Sequence, residues 1–319
     1  MLNSNVIVII CLIYVGSLFA VAGLAERRAR QRKLGFLQSP LIYTLSISVY
    51  CTAWTFYGSV GSAATNGFEF LAIYLGPTIV FVGWWWFLRK LVRIGRTQRI
   101  TSIADLISSR YGKSNTLGVI VTLLAIFGST PYIALQLQSL TLSFAVFTEN
   151  TTTDYNPVIT ALFIAAGLAL FTILFGTRNL DANERHHGVV TAIAVEAIVK
   201  LVAFISVGIF VVWGLSEGPN NMLHIMEKSI PITNQVFSPR WVTLTFLSAT
   251  AIICLPRMFQ VIVVENSAEK HLATASWAFP LYLLLMCIFV LPIAATGLNI
   301  LPEGSNPDLF VLTIPLAEN

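Results

Sequence analysis

Apolar runs long enough to cross a lipid bilayer recur along this chain, and nothing else limits its fold so tightly. A spanning helix needs about 20 predominantly apolar residues. Eight stretches meet that length, at about 5–24, 41–63, 67–89, 116–147, 157–176, 188–214, 241–264 and 273–298. Within hydrocarbon every backbone N–H and C=O must find a partner inside the protein, which a helix provides. Composition agrees: 56% of the 319 residues are hydrophobic and 11% are charged, against about 25% charged in soluble domains. The expected class is therefore an all-α, polytopic membrane protein.

The distribution of Lys and Arg orients the spans. Fifteen of these residues fall in the segments 25–40, 89–115, 177–187 and 265–272, and two, Lys228 and Arg240, in the alternate loops. By the positive-inside rule the first set is cytoplasmic and the amino terminus lies outside. The remaining two, Lys200 and Arg257, stand within spans. The first span has no charged segment before it and is followed by the basic run from Arg27 to Lys33, which marks a signal-anchor and not a cleaved leader. Cys11, Cys51, Cys254 and Cys287 all lie in apolar stretches. They read as small packing residues, without a disulfide framework or metal-ligand spacing.

The stretch from Pro40 to Pro77 departs from a simple anchor. Ser48, Cys51, Thr52, Thr55, Gly58, Ser59 and Gly61 interrupt it, and no charge precedes Glu69. Small residues let helices approach closely, while Gly, Ser and Thr also let a helix unwind and re-partner its backbone. Both a packing seam and a broken, solute-binding helix fit this pattern. The same expectation attaches to Cys254–Arg257, where Pro256 adjoins a charge. On the cytoplasmic side, Ser102 with Asp105 resembles a capping box, and Ile103, Leu106 and Ile107 share a face, so a short surface helix is expected.

Five passages, TFYGSVGSAATNG, RITSIADLISSRYG, PYIALQLQSL, FGTRNLDANERHHGVVTAIAVEAIVKLVAF and LPRMFQVIVVENSAEKHLATA, resemble the sodium/solute symporter family. The closer resemblance is to the branch in which that domain forms the amino-terminal part of bacterial sensor histidine kinases. It implies a LeuT-like fold of two inverted five-helix repeats. Residues 1–38 would be an extra span with its basic loop, 39–214 the first repeat, and 215–319 the start of the second. By symmetry the second repeat would close near residue 416, at roughly the length of the first, so this chain would hold two of its five helices.

The resemblance also implies a mid-membrane site around Tyr50, Thr52, Ala53, Trp54 and Thr55, with sodium held through backbone carbonyls near Ala53. Some symporters carry an aspartate in this helix; Tyr50 stands at the nearest matching position here, and no carboxylate lies between Pro40 and Phe68. Tyr132 and Gln136 would line the pathway. Gln138, two residues on, faces elsewhere on a helix and is expected to bond a neighbouring one. A charge as deep as Arg257 is costly, so it either grips a solute carboxylate or settles its charge by snorkelling or pairing with Glu265. Glu196 and Lys200, four apart on one face, read as a structural ion pair. Glu184, His186 and His187 lack further ligands and read as a solvated loop, so no metal site is expected.

The expected function is to bind, and to import by alternating access, a small polar solute such as an amino acid or organic acid. Sodium is the ion implied, and no other cofactor is. The setting implied is the bacterial inner membrane, with kinase domains in cis and a response regulator as partners and no nucleic acid. No phosphate loop, kinase nucleotide signature or phospho-acceptor His motif occurs in 1–319. A stand-alone symporter and a receptor of the same fold that moves nothing are the alternatives.

Overall fold

The computed structural model describes residues 4–32, 35–148, 156–175, 186–231 and 236–317. Among the described residues the regular structure is helical, with no strand. The helices are α1 (Ser4–Arg30), α2 (Pro40–Ile47), α3 (Ser59–Asn66), α4 (Leu71–Val82), α5 (Leu88–Gln98), α6 (Ile103–Arg110), α7 (Asn115–Thr148) and α8 (Pro157–Phe175). There follow α9 (His187–Ile209), α10 (Pro219–Ser229), α11 (Pro239–Cys254), α12 (Pro256–Phe259), α13 (His271–Cys287), α14 (Val290–Ile300) and α15 (Phe310–Ala317).

Among the described residues six helical runs are long and apolar enough to cross a membrane, and a seventh is the pair α11–α12, bent by 55°. The eight expected stretches differ from this in one region. The stretch at 41–63 is two pieces: α2, extended by a 3-10 turn to Tyr50, and a helix that restarts at Ala53. The restarted run, Trp54–Val82, is long and apolar enough to cross as one piece. Gly67, at φ 58° and ψ −125°, interrupts it. A Cβ there would lie 2.4 Å from the carbonyl oxygen of Pro231, so both backbone conformation and space demand glycine.

Local chemistry sets the helix starts. Ser39 and Ser238 accept from the backbone N–H of Ile42 and Trp241, each with proline at the first helical position. The expected surface helix is α6: Ser102 Oγ accepts from Asp105 N, and the Asp105 carboxylate accepts from Thr101 N at 3.0 Å. Sequence periodicity did not disclose α10 and α15, which lie in stretches expected to be loops.

The packed core joins α2–α5 to α9–α15, with Phe70, Phe81, Phe204, Phe259, Phe279 and Phe310 fully enclosed. Side chains bonded to backbone of other helices tie it together. Tyr43 donates to Ile262 O, Tyr50 to Ile73 O, Tyr282 to Ala197 O and Ser248 to Ala72 O, at 2.8–3.0 Å. Such bonds are the usual glue where lipid removes the hydrophobic drive between helices. At Gly76 a Cβ would lie 2.0 Å from Ser248 Oγ, so α4 and α11 meet nearly backbone to backbone. By contrast, the most apolar windows of α7 and α8 contain no buried residue.

Among the described residues, ion pairs between distant segments join segments that the charge count places on one side. Arg89 and Arg93 meet Glu269, and His186 meets Glu265, all in expected cytoplasmic segments. Glu69, almost fully buried at the outer start of the expected span 67–89, meets Arg240 of the expected outer loop at 3.0 Å.

Candidate functional site

The two helix breaks face each other across Tyr132. At the first, Cys51 leaves the helix at φ −78°, ψ 93°, and Cys51 and Thr52 are non-helical. The chain re-enters through a π turn, Trp54–Gly58, a local form frequent at functional sites. At the second, Leu255 is extended at φ −65°, ψ 130°. Pro256 supplies no N–H, so the carbonyl of Ile252 loses its helical donor, and the axis turns.

Side chains from α7 and α9 occupy the groups freed at the first break. Ala53 N donates to Gln136 Oε1 at 3.0 Å, and Lys200 Nζ donates to Cys51 O. Tyr132, one turn before Gln136, donates its hydroxyl to Thr52 Oγ1. Arg257 arrives from the second break. Its Nη2 donates to the Tyr132 hydroxyl at 3.0 Å, and its guanidinium carbon lies 4.2 Å from the Tyr132 ring centroid. Arg257 Nε is buried and donates to nothing among the described residues. The arrangement is thus a chain of contacts, Ala53–Gln136 and Thr52–Tyr132–Arg257, that links both breaks through α7.

Among the described residues Arg257 does not pair with Glu265, one of the alternatives open to it. Glu265 Oε1 instead accepts from His186 N at 3.2 Å and from Gln260 Nε2 at 3.2 Å, with His186 Nδ1 at 3.1 Å. His186 thereby meets a buried carboxylate while its own side chain stays 31% exposed, so it is not left in a solvated loop. Glu184 lies outside the described residues. Glu196 and Lys200 do pair, at 2.9 Å. Their sequence spacing revealed that contact but could not reveal the second one, from Lys200 to a carbonyl 149 residues away.

The expected residues separate into two groups. Thr52, Ala53, Tyr132, Gln136 and Arg257 come together. Tyr50 turns its hydroxyl to Ile73 O, and Thr55 is buried beside Cys51 with its carbonyl accepting from Ser59. Trp54 folds back over Gly58, where a Cβ would lie 2.8 Å from the indole. Gln138 is on another face than Gln136 and is exposed, not turned to a neighbouring helix as expected. A surface hollow between α6 and α7, lined by Ser108, Ser114, Asn115 and Thr122, contains no charged group and none of these residues. Among the described residues no cluster of His, Cys, Asp and Glu could hold a metal ion.

No family model matches the chain. Two curated proteins of Bacillus subtilis (strain 168) are similar to it. One is named uncharacterized symporter YodF, 26% identical over 273 residues, covering 82% of this chain and 51% of that protein. The other is named uncharacterized symporter YhjB, 23% identical over 284 residues, covering 86% of this chain and 55% of that protein. The chain thus spans about half the length of the curated relatives it matches. It is an all-α, multi-pass membrane protein similar, over most of its length, to proteins named as symporters.

Proposed function

We propose that this chain is a symporter-like solute-binding module whose site lies between the two helix breaks and takes a small solute carrying a carboxylate, an amino acid or organic acid. One observation carries the reading: Arg257 Nε is buried at a helix break, beside an aromatic ring, with no acceptor. A guanidinium presents a planar fork matched to carboxylate oxygens, and an unmade buried hydrogen bond is costly. A carboxylate arriving from solution supplies both the acceptor and the countercharge. Thr52 and Gln136, already placed at the first break, would contact the rest of the solute. The two breaks provide the joints at which outer and inner halves of their helices tilt separately, as alternating access requires.

The test uses the protein in full length. Tritiated amino acids and organic acids are screened for binding, and the best is measured again on Arg257→Gln, with folding checked. A charge-assisted bond is worth about 1.5–3 kcal/mol, so affinity should fall by roughly one to two orders of magnitude. Unchanged affinity would make Arg257 structural.

The passages quoted above favour the sensor-kinase branch, so the module would pass solute occupancy to kinase domains in cis and thence to a response regulator, in a bacterial inner membrane. A dimerisation helix with a phospho-acceptor His encoded beyond Asn319 is the observation that tests this. Its absence from the gene would leave a stand-alone symporter.

A further inference from the structure

Between Glu69 and Asp105 the chain has no acidic residue, and α5 stands in the middle of that stretch. Leu88, Leu91, Val92 and Gly95 recur at helical spacing and are buried. A Cβ on Gly95 would lie 2.5 Å from Val263 Cγ1, so α5 is pressed onto the π turn Gln260–Val264 that follows α12. Its other face is cationic. Arg89, Lys90, Arg93 and Arg96 are exposed, and Arg99 follows at the carboxyl end. Arg99 takes the left-handed cap, φ 52° and ψ 45°, which glycine would hold at lower cost. Arg93 grips Glu269 with Nε at 2.6 Å and Nη2 at 3.0 Å, and Arg89 Nε donates to the same carboxylate. Lys90, Arg96 and Arg99 meet no carboxylate among the described residues. Just ahead of α5, Trp85, Trp86 and Phe87 are exposed. Tryptophan collects at the boundary between bilayer and water, where its ring meets both phases. The start of α5 is therefore at headgroup depth, on the side that the charge count makes cytoplasmic.

We propose that the outer face of α5 is a docking surface for anionic phospholipid headgroups of the cytoplasmic leaflet. Lys90, Arg96 and Arg99 are its free cations, and Trp85 and Trp86 its anchor in the bilayer. Charge complementarity selects the occupant. Five cations stand against one carboxylate, Glu269, that contacts them, and the cytoplasmic leaflet is the negatively charged one. The exposed indoles select lipid over a soluble anion, because they need an apolar phase that a free phosphate does not bring. Nothing has to fold for the surface to form, since the buried face of α5 is already packed on the protein. Glu269 is then an internal competitor. It occupies Arg89 and Arg93 from within the chain, while headgroup phosphates occupy the cations it does not reach.

The test needs neither a solute nor the transport reading. The full-length protein in detergent micelles is offered equal amounts of phosphatidylglycerol and phosphatidylcholine, and bound lipids are counted by native mass spectrometry. Wild type should retain phosphatidylglycerol preferentially, and inorganic phosphate should not displace it. A triple variant, Lys90→Gln, Arg96→Gln and Arg99→Gln, should lose about fivefold in preference for each cation removed. A second triple variant, Arg27→Gln, Arg28→Gln and Arg30→Gln, removes the same charge from the end of α1. It should cost less, because Glu26 already pairs with Arg30 there. Glu269→Gln releases Arg89 and Arg93 and should raise the preference, a gain that misfolding does not produce. Equal retention of both lipids by wild type would overturn the proposal and leave the face to an acidic protein partner. Equal losses in the two triple variants would overturn it too, because net charge alone would then be acting. So would displacement by phosphate, or the absence of a gain in Glu269→Gln. The wild-type and Glu269→Gln results stand even if the α5 variant does not fold.

Discussion

The two helix breaks differ in what they leave unpaired. At the first, Cys51 O and Ala53 N, the groups that lost their helical partners, are taken by Lys200 and Gln136. At the second, Pro256 removes a donor, and the adjacent Arg257 holds a buried N–H with no acceptor among the described residues. The first break is thus a sealed joint, and on the proposed reading the second is the open site. That reading locates the site by the polar group left unspent and not by the unwinding itself.

Substitutions at the two breaks should therefore have opposite signatures. Arg257→Gln has the largest expected effect, the one to two orders of magnitude in affinity given above. It should barely move the melting temperature, because Arg257 makes one hydrogen bond to another side chain. Lys200→Met should do the reverse. It removes a charge-assisted bond and strands Glu196, so stability should fall by about 2 kcal/mol in a thermal or denaturant melt. A Lys200→Met protein as stable as wild type would break the comparison, because the first joint would then hold without its cation.

Gln136→Leu sharpens the same contrast at smaller scale. It leaves the Ala53 N–H without its acceptor, and bonds of this kind in membranes are worth about 1 kcal/mol. A melt of the purified variant should show that loss, and an unchanged melt would mean that Ala53 finds another acceptor.

The smallest effect is expected far from both breaks, at Glu269. Hydrogen bonds from Arg93 and then Arg89 hold its carboxyl at about 2, below the ordinary 4.5. A carboxyl depressed on folding stabilises the folded protein above its unfolded value and loses that contribution as pH falls. The advantage of wild type over Glu269→Gln should thus be full above pH 4.5 and vanish toward pH about 2. It is screened at this exposed site, so raised salt should shrink it. A difference between the two melts that is flat across this range would sink the assignment.

Much of this was legible in the sequence, for physical reasons that also explain the rest. Span positions follow from the length of apolar runs, because bilayer thickness is fixed. The α6 cap follows from Ser102 and Asp105, because a capping box is local. Both breaks were legible from Gly, hydroxyl and Pro content, and the Glu196–Lys200 pair from its spacing of four. Contacts between distant segments were not. The bond from Lys200 to Cys51 O, the partnership of Glu265 with His186, and the turning of Tyr50 toward Ile73 all depend on how helices pack. Local periodicity carries no information on that. Nor did it reveal α10 and α15, short helices that complete the core through Met222 and Phe310.

The most direct measurement is a cryo-EM map of the full-length protein with the acid that wins the binding screen. The carboxylate should lie within about 3 Å of Arg257 Nε, beside Tyr132, while Lys200 remains on Cys51 O. Solute density remote from Arg257, or a protein carboxylate on Arg257 Nε in the solute-free map, would contradict the assignment of the second break as the open site.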